Sequence, residues 1–269
     1  TLVRLLYFLT RTQKKFTKLP TIIIDNQKKL EKFFNEIPSE TSINERLFLY
    51  NFSKEIASNG NIIELGPFFG GTTRAIAKGI EDSQSSKKNL ITIDMFSNYY
   101  SLEEFKSISN FDIDKKNVIN NDVKFMEIFK SFHKKHSYNK YIKTISAKIP
   151  DSPSQKFDYS LFKDLKISAV FIDGCKSWYS TRSFCSELLD VSKPGTYFLF
   201  QDYGRYTCFW IPYFTAVMDE FFDLVHVVDS TYVFILIKNI SKKDVLELFK
   251  ENPKLMDPNV MKNAFEKIL

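Results

Sequence analysis

The stretch NIIELGPFFGGTTRAIAKG, residues 61–79, gathers three of the chain's eight glycines, Gly66, Gly70 and Gly71, into six residues. Glycine lets a backbone turn sharply and lets a ligand approach main-chain atoms, so a loop this rich in it has a job that side chains would obstruct. An acid, Glu64, stands just before the loop. It would repel a phosphate and suit a ligand that carries an ammonium group. The spacing E-x-G-x-x-x-G-G-T is not the G-x-G-x-x-G of a dinucleotide-binding turn, which argues against a nicotinamide-dependent oxidoreductase. A second acid, Asp94, closes the apolar run NLITIDMF (89–96), where it can accept both hydroxyls of a ribose.

These residues need strands and helices to carry them. NIIEL (61–65), NLITIDMF, YIKTIS (141–146), ISAVFIDG (167–174) and TYFLFQDY (196–203) read as strands, several nearly continuous in apolar residues as buried parallel strands are. TTRAIAKGI, DVKFMEIFKSFHKKH (122–136), YSTRSFCSELLDVS and IPYFTAVMDEFF read as the helices between them. Strands alternating with helices imply a parallel sheet with right-handed crossovers. LVHVV and TYVFILIK close it as a hairpin, which puts an antiparallel strand beside the last parallel one. In such sheets ligands bind beyond the carboxyl ends of the strands, where the glycine loop and Asp94 belong. Ahead of the sheet, Ser42 with Glu45 three residues on reads as a capping box for a helix that Asn59-Gly60 stops. After it, a tail from Ser241 carries two short amphipathic helices broken by Pro253 and Pro258. Its stripes, Val245, Leu246, Leu248 and Phe249, then Met261, Phe265 and Ile268, must bury against their own domain or against a second copy of the chain.

IIELGPFFGGTT and ITIDMF resemble the first two motifs of class I S-adenosylmethionine-dependent methyltransferases. AVFIDGCKSWYSTRSFCSELLDVSKPGTYFLFQDY is similar to the branch that includes catechol and macrolide-sugar O-methyltransferases. The resemblance covers roughly residues 42–238. It implies a Rossmann-like α/β fold, a seven-stranded sheet with an antiparallel last strand and helices on both faces. That leaves 1–59 as an N-terminal helical extension, 60–240 as the methyltransferase domain and 241–269 as a C-terminal helical tail. It also implies S-adenosylmethionine as cofactor. Glu64, Gly66, Pro67, Phe68, Gly70, Gly71 and Thr72 would surround its methionine part, with Glu64 near the amino group. Asp94 would hold the ribose, Met95 and Phe96 would flank the adenine, and Ser146 and Ala147 would sit at the adenine edge.

Methyl transfer to oxygen needs a deprotonated acceptor oxygen held in line with the methyl group. Asp173 ends the fourth strand and Asp202 the fifth. In the resembled family the corresponding acids bind Mg²⁺, a cation that can lower a hydroxyl pKa and template the acceptor. Lys176 matches the family's catalytic lysine, a general base that must have its pKa depressed to serve. The run Gln201-Asp202-Tyr203 departs from the family, which has Asn or a second acid beside Asp202. Asp173 and Asp202 therefore either hold Mg²⁺ or only shape loops and hydrogen-bond the acceptor. The implied activity is O-methylation of a small molecule, a sugar or glycan unit or a phenol; the alternative is a non-catalytic protein that keeps the cofactor pocket. Trp178, Tyr179, Tyr203, Tyr206, Phe209 and Trp210 would either stack on an acceptor ring or form plain core.

Composition narrows the partners. The 269 residues carry a net charge of +6, but their lysine pairs, such as Lys14–Lys15, Lys115–Lys116 and Lys134–Lys135, lie in separate segments and read as solvated surface. No nucleic-acid partner is expected. No apolar run is long enough to span a membrane. Cys175, Cys185 and Cys208 have no metal-type spacing, which points to a reducing, cytoplasmic setting, with Cys175 a small buried residue. His133 and His136, on a lysine-rich helix, are expected in solvent.

Overall fold

In the computed structural model, residues 27–83, 89–97, 118–119, 122–123 and 125–266 are described. The seven principal strands make one mixed sheet with antiparallel last strands, and eight α-helices accompany it among the described residues. The chain divides into two compact units, one spanning Ile22–Lys148 and one containing Ile149–Leu269.

The first unit opens with α1 (Gln27–Phe34) and α2 (Ile43–Ile56). Ser42 caps α2 as expected: its hydroxyl accepts from the Glu45 N–H at 3.1 Å, and the Glu45 carboxylate accepts from the Ser42 N–H at 2.9 Å. Then come β1 (Asn61–Leu65), α3 (Gly71–Asp82) and β2 (Leu90–Asp94). A two-stranded ribbon, β3 (Val118–Ile119) with β4 (Asp122–Val123), follows, and then α4 (Phe125–His133) and β5 (Ile142–Ser146). The expected helix over 122–136 is thus shorter, with a ribbon strand at its start and a 3₁₀ turn at Ser137–Tyr141 after it. β5, β2 and β1 lie side by side in that order, all parallel. β2 is buried along its whole length, as a central parallel strand must be. Leu65 pairs with Ile93 and Asp94 with Ser146, so the register brings Asp94 level with the end of β5.

The second unit contains β6 (Ile167–Ile172), α5 (Trp178–Val191), β7 (Tyr197–Phe200), α6 (Trp210–Val217), β8 (Phe222–Val228) and β9 (Thr231–Leu236). β6 and β7 are parallel. β9 runs antiparallel to β7 and β8 antiparallel to β9, which is the hairpin expected from the sequence. Its two-residue turn places Asp229 at φ 46°, a left-handed conformation that aspartate tolerates.

The tail forms α7 (Lys242–Leu248) and α8 (Pro258–Glu266). Pro258 starts α8 rather than breaking a helix, a position where its missing N–H costs nothing. Val245 and Phe249 are completely buried. Phe249 stacks on Trp178 at 4.1 Å, and Arg182 of α5 donates to the carbonyls of Leu246 and Phe249 at the end of α7. Val245 and Phe249 of the first stripe therefore bury against their own unit while Leu248 stays 40% exposed; Phe265 and Ile268 of the second lie outside the described side chains.

Candidate active site

In the first unit the glycine loop joins β1 to α3. Gly66 (φ 82°), Phe68 (φ 53°) and Gly70 (φ 92°) all adopt left-handed backbone conformations, and Gly70 is the N-cap of α3. The reason for the glycines differs from the one expected. A Cβ on Gly70 would lie 2.0 Å from His133 Nε2 and 2.9 Å from a Phe129 ring carbon. One on Gly71 would lie 2.6 Å from the Ser39 Cβ. The space beside these two residues is filled by the chain itself rather than kept open for a ligand. The paired aromatics have a similar explanation. Phe69 is fully buried and stacks on Phe125 at 5.0 Å, within a cluster of Ile37, Phe96, Phe125, Ile128 and Phe129, and Phe68 packs against its edge. The loop is anchored through Phe69 into an aromatic core.

Glu64 is fully buried at the strand end. Its two carboxylate oxygens accept from the hydroxyls of Thr72 and Thr73, each at 2.6 Å, tying β1 to the first turn of α3. Burial pushes its pKa up, opposed by those hydroxyl bonds. An acid expected to face an ammonium group is thus built into the strand–helix junction. Pro67 is buried as well.

Asp94 lies at the end of β2, 5% exposed, and its carboxylate accepts from the Phe96 N–H at 2.8 Å. The Ala147 N–H donates to the Asp94 carbonyl at 2.8 Å, so Asp94, Ser146 and Ala147 converge on one edge of the unit as the sequence implied. Met95 is half-buried there and Ser146 exposed. Phe96 departs from expectation: at φ 46° its side chain turns into the aromatic cluster, edge-on to Phe129 at 5.2 Å, rather than standing open beside a base.

His133 departs further. It is 1% exposed, not solvated, while its neighbours Lys134 and Lys135 are exposed. The signal was the phase of α4: Phe125, Ile128, Phe129 and His133 fall at helical intervals on one face. Burial, then the charge of Arg74 and the neighbouring His136, push its pKa down to about 3, so the ring is neutral. Arg74, 2% exposed, also escaped notice. It donates to the carbonyls of Phe33 and Phe132, to the Glu36 carboxylate at 2.7 Å and to the Tyr138 hydroxyl at 3.0 Å.

The second unit holds the other set of residues. The turn after β6 is held by Cys175, buried at φ 57°, whose carbonyl accepts from the Thr181 hydroxyl at 2.9 Å and from the Trp210 indole at 3.4 Å. This turn delivers Lys176. At the end of β7 the Gln201 N–H donates to the Ile172 carbonyl, and Asp202 takes φ 59°. The two turns meet at one ammonium. Lys176 Nζ donates to Asp173 Oδ1 at 3.2 Å, Asp202 Oδ2 at 2.8 Å and Gln201 Oε1 at 3.4 Å. Arg205 adds a bond to Asp202 Oδ2 at 3.1 Å.

The electrostatics follow from this geometry. Burial alone would lower the Lys176 pKa, but Asp173 and then Asp202 outweigh it and the net shift is upward. The expected depressed lysine is not what this arrangement produces. Burial would raise the Asp202 pKa, and Lys176 and then Arg205 bring it below the ordinary value. At neutral pH the cluster sets the Lys176 ammonium against the ionised Asp202 carboxylate, with Asp173 Oδ1 as a second acceptor.

The aromatics nearby are mostly committed elsewhere. Tyr203 is buried, stacks on Tyr232 at 4.1 Å and shares a 2.5 Å hydrogen bond with Thr215. Trp178 packs on the tail and donates to the Lys250 carbonyl. Phe209 and Trp210 are half-buried. Among the described residues no group of three His, Cys, Asp or Glu side chains could hold a metal ion, and no helix is long and apolar enough to cross a membrane.

Known structures share this fold. The O-methyltransferase NovP is 14% identical, with 75% of this chain and 83% of that one covered at a TM-score of 0.52. CalS11, a TDP-rhamnose 3'-O-methyltransferase of calicheamicin biosynthesis, is 9% identical, with 87% and 92% covered at 0.51. Cofactor-bound Rv0187 from MTB is 12% identical, with 82% and 94% covered at 0.50. No curated protein sequence matches. At these identities the likenesses speak to the fold alone. The methyltransferase-domain family model, however, matches residues 63–203, just over half of the chain and from Glu64 through Asp202, and the chain belongs to that family.

Proposed function

We propose that the protein is an S-adenosylmethionine-dependent O-methyltransferase acting on a hydroxyl of a small molecule, a sugar or glycan unit or a phenol. The observation that carries this reading is the family match, whose span contains both the loop set around Asp94 and the lysine–carboxylate set. CalS11, which shares this fold, is a TDP-rhamnose 3'-O-methyltransferase, so sugars are among the acceptor classes to try.

S-adenosylmethionine, when bound, supplies an electrophilic sulfonium methyl group. The residues present fit it: a buried acid at the end of β2 is oriented by a backbone N–H, next to a loop whose backbone is already in the left-handed region. In this reading Asp94 holds the ribose, Met95, Ser146 and Ala147 border the base, and the Gly66–Thr72 segment holds the methionine part. The acceptor hydroxyl must lose its proton as its oxygen forms the new bond. Asp202 and Asp173 can accept a hydrogen bond from that hydroxyl and orient it, its proton leaving to solvent water, and the Lys176 ammonium can stabilise negative charge growing on the oxygen.

The donor set does not suit a resident divalent cation. Mg²⁺ needs near-octahedral oxygen ligation. Here the oxygens of Asp173, Asp202 and Gln201 already converge on Lys176, and Arg205 holds Asp202 as well. What favours the metal reading is the pair of carboxylates at the ends of the parallel strands β6 and β7. The same proposal keeps the division into an extension (1–59), a catalytic domain (60–240) and a tail (241–269). It also keeps a reducing, cytoplasmic setting, supported by three free, buried cysteines. Leu248 and Leu255, exposed on the tail, leave a homodimer open to a sedimentation test.

The experiment is release of S-adenosylhomocysteine from S-adenosylmethionine in the presence of glycoside and phenol mixtures, with and without EDTA. We expect turnover that survives EDTA. Loss of turnover restored by Mg²⁺ would return Asp173 and Asp202 to the role of metal ligands. Binding of the cofactor with no turnover on any acceptor class would favour a non-catalytic protein.

A further inference from the structure

The Lys176 ammonium is met by oxygens on three sides among the described residues: Asp173 Oδ1, Asp202 Oδ2 and, at 3.4 Å, Gln201 Oε1. Gln201 belongs to the run that departs from the resembled family, and it is only 7% exposed. An ammonium can only donate, so the Gln201 amide presents its oxygen to Lys176. Its nitrogen then faces the other way, where Nε2 donates to Ser230 Oγ at 3.2 Å. Ser230 lies in the turn between β8 and β9, 29 residues beyond Gln201 and outside the span of the family match. The same serine also holds the backbone on the far side of Asp202: the Tyr203 N–H donates to the Ser230 carbonyl at 3.1 Å. Ser230 thus grips both neighbours of Asp202, which itself takes the left-handed φ of 59°.

We propose that Ser230 is a positioning residue of the lysine–carboxylate site: its hydroxyl sets the Gln201 amide, and Gln201 in turn aims the Lys176 ammonium. The inference rests on the reading of this site as the place of methyl transfer. Asp173 and Asp202 both draw the ammonium towards themselves. A neutral oxygen on its third side keeps one hydrogen pointed away from the two carboxylates. At 3.4 Å that bond is the longest of the three, so it is the one an acceptor oxygen displaces most readily. Holding the turn needs only the Ser230 carbonyl, which any residue at that position keeps. Aiming Lys176 needs the hydroxyl. Ser230→Ala removes the hydroxyl alone, and the buried Gln201 nitrogen then loses this acceptor.

The test is nitrogen NMR of the lysine side chains in the full chain, detected through their Cε hydrogens, with Lys176→Met assigning the Lys176 signal. We expect Ser230→Ala and Gln201→Met each to move the Lys176 Nζ signal, and the double variant to move it no further than Gln201→Met alone. Ser230→Thr, which keeps a hydroxyl, should restore the wild-type position. Turnover is then read as S-adenosylhomocysteine release with whichever glycoside or phenol the wild type methylates. Ser230→Ala should lower kcat about 5- to 10-fold, the worth of roughly one hydrogen bond. Its KM for S-adenosylmethionine and its melting temperature should stay near the wild-type values, and Ser230→Thr should regain kcat. A Lys176 signal indifferent to Ser230→Ala, a loss that adds in full to that of Gln201→Met, or a fall in kcat that threonine does not restore would overturn the proposal. If Gln201→Met does not fold, Ser230→Ala against Ser230→Thr decides. If the wild type methylates no acceptor, the function proposed above falls, and the Lys176 signal still decides whether Ser230 acts on the ammonium through Gln201.

Discussion

Lys176→Met is expected to slow methyl transfer by about 10²–10⁴-fold while leaving S-adenosylhomocysteine affinity unchanged. The methionine keeps an unbranched stem one atom shorter and removes the charge. Asp173 and Asp202 would then lose the cation they share, and the carboxylates would repel a growing negative charge on the acceptor oxygen instead of presenting it to an ammonium. Lys176 is 39% exposed, so the effect belongs to turnover rather than to stability. Lys176→Arg separates two roles. An arginine keeps the charge and cannot act as a base. If the ammonium is what matters, the Arg variant stays within roughly 10-fold of wild type; if a neutral lysine takes the proton, it falls with the Met variant. Full activity of Lys176→Met would place the chemistry elsewhere.

Gly70→Ala is expected to cost about 2–5 kcal/mol of stability. Two terms contribute. A non-glycine residue at φ 92° pays about 1–2 kcal/mol. The added methyl group then meets His133 at 2.0 Å and Phe129 at 2.9 Å in a packed interior, which adds about 1–3 kcal/mol of overpacking. Gly195 provides the control. Its φ is 96°, and a Cβ there would meet nothing within 4 Å. Gly195→Ala should therefore pay only the backbone term. Thermal unfolding of the two variants side by side checks this, and a Gly70→Ala no more harmful than Gly195→Ala would contradict the account of the loop.

The comparison of sequence with structure turns on such side-chain directions. The succession of strands and helices, the closing hairpin and the Ser42–Glu45 cap were legible because each rests on local pattern: apolar runs, turn residues and a three-residue spacing. The placement of Asp94 beside Ser146 and Ala147 came from the resemblance, which sets all three around one adenosine. What lay beyond reach was which way a residue on a loop faces. Gly70 looked like an opening for a ligand, whereas its missing side chain makes room for His133. Phe96 looked like a neighbour of a base, but a left-handed backbone turns it inward. Lys176 looked like a base because its matching residue is one, while two carboxylates brought together only by tertiary structure keep it charged. Arg74 sits in TTRAIAKGI like any helix-surface cation; its partners, Phe33, Glu36, Phe132 and Tyr138, come from segments roughly forty residues before it and sixty after it.

Calorimetric titration of the wild-type chain and Asp94→Ala with S-adenosylhomocysteine tests the central claim most directly. The account predicts saturable binding to the wild type. It predicts a loss of about 10- to 100-fold in the variant, since two hydrogen bonds to a charged acceptor disappear at ~1.5 kcal/mol or more each before compensation by water. No binding to the wild type, or equal affinity in a variant whose fold is intact, would contradict it.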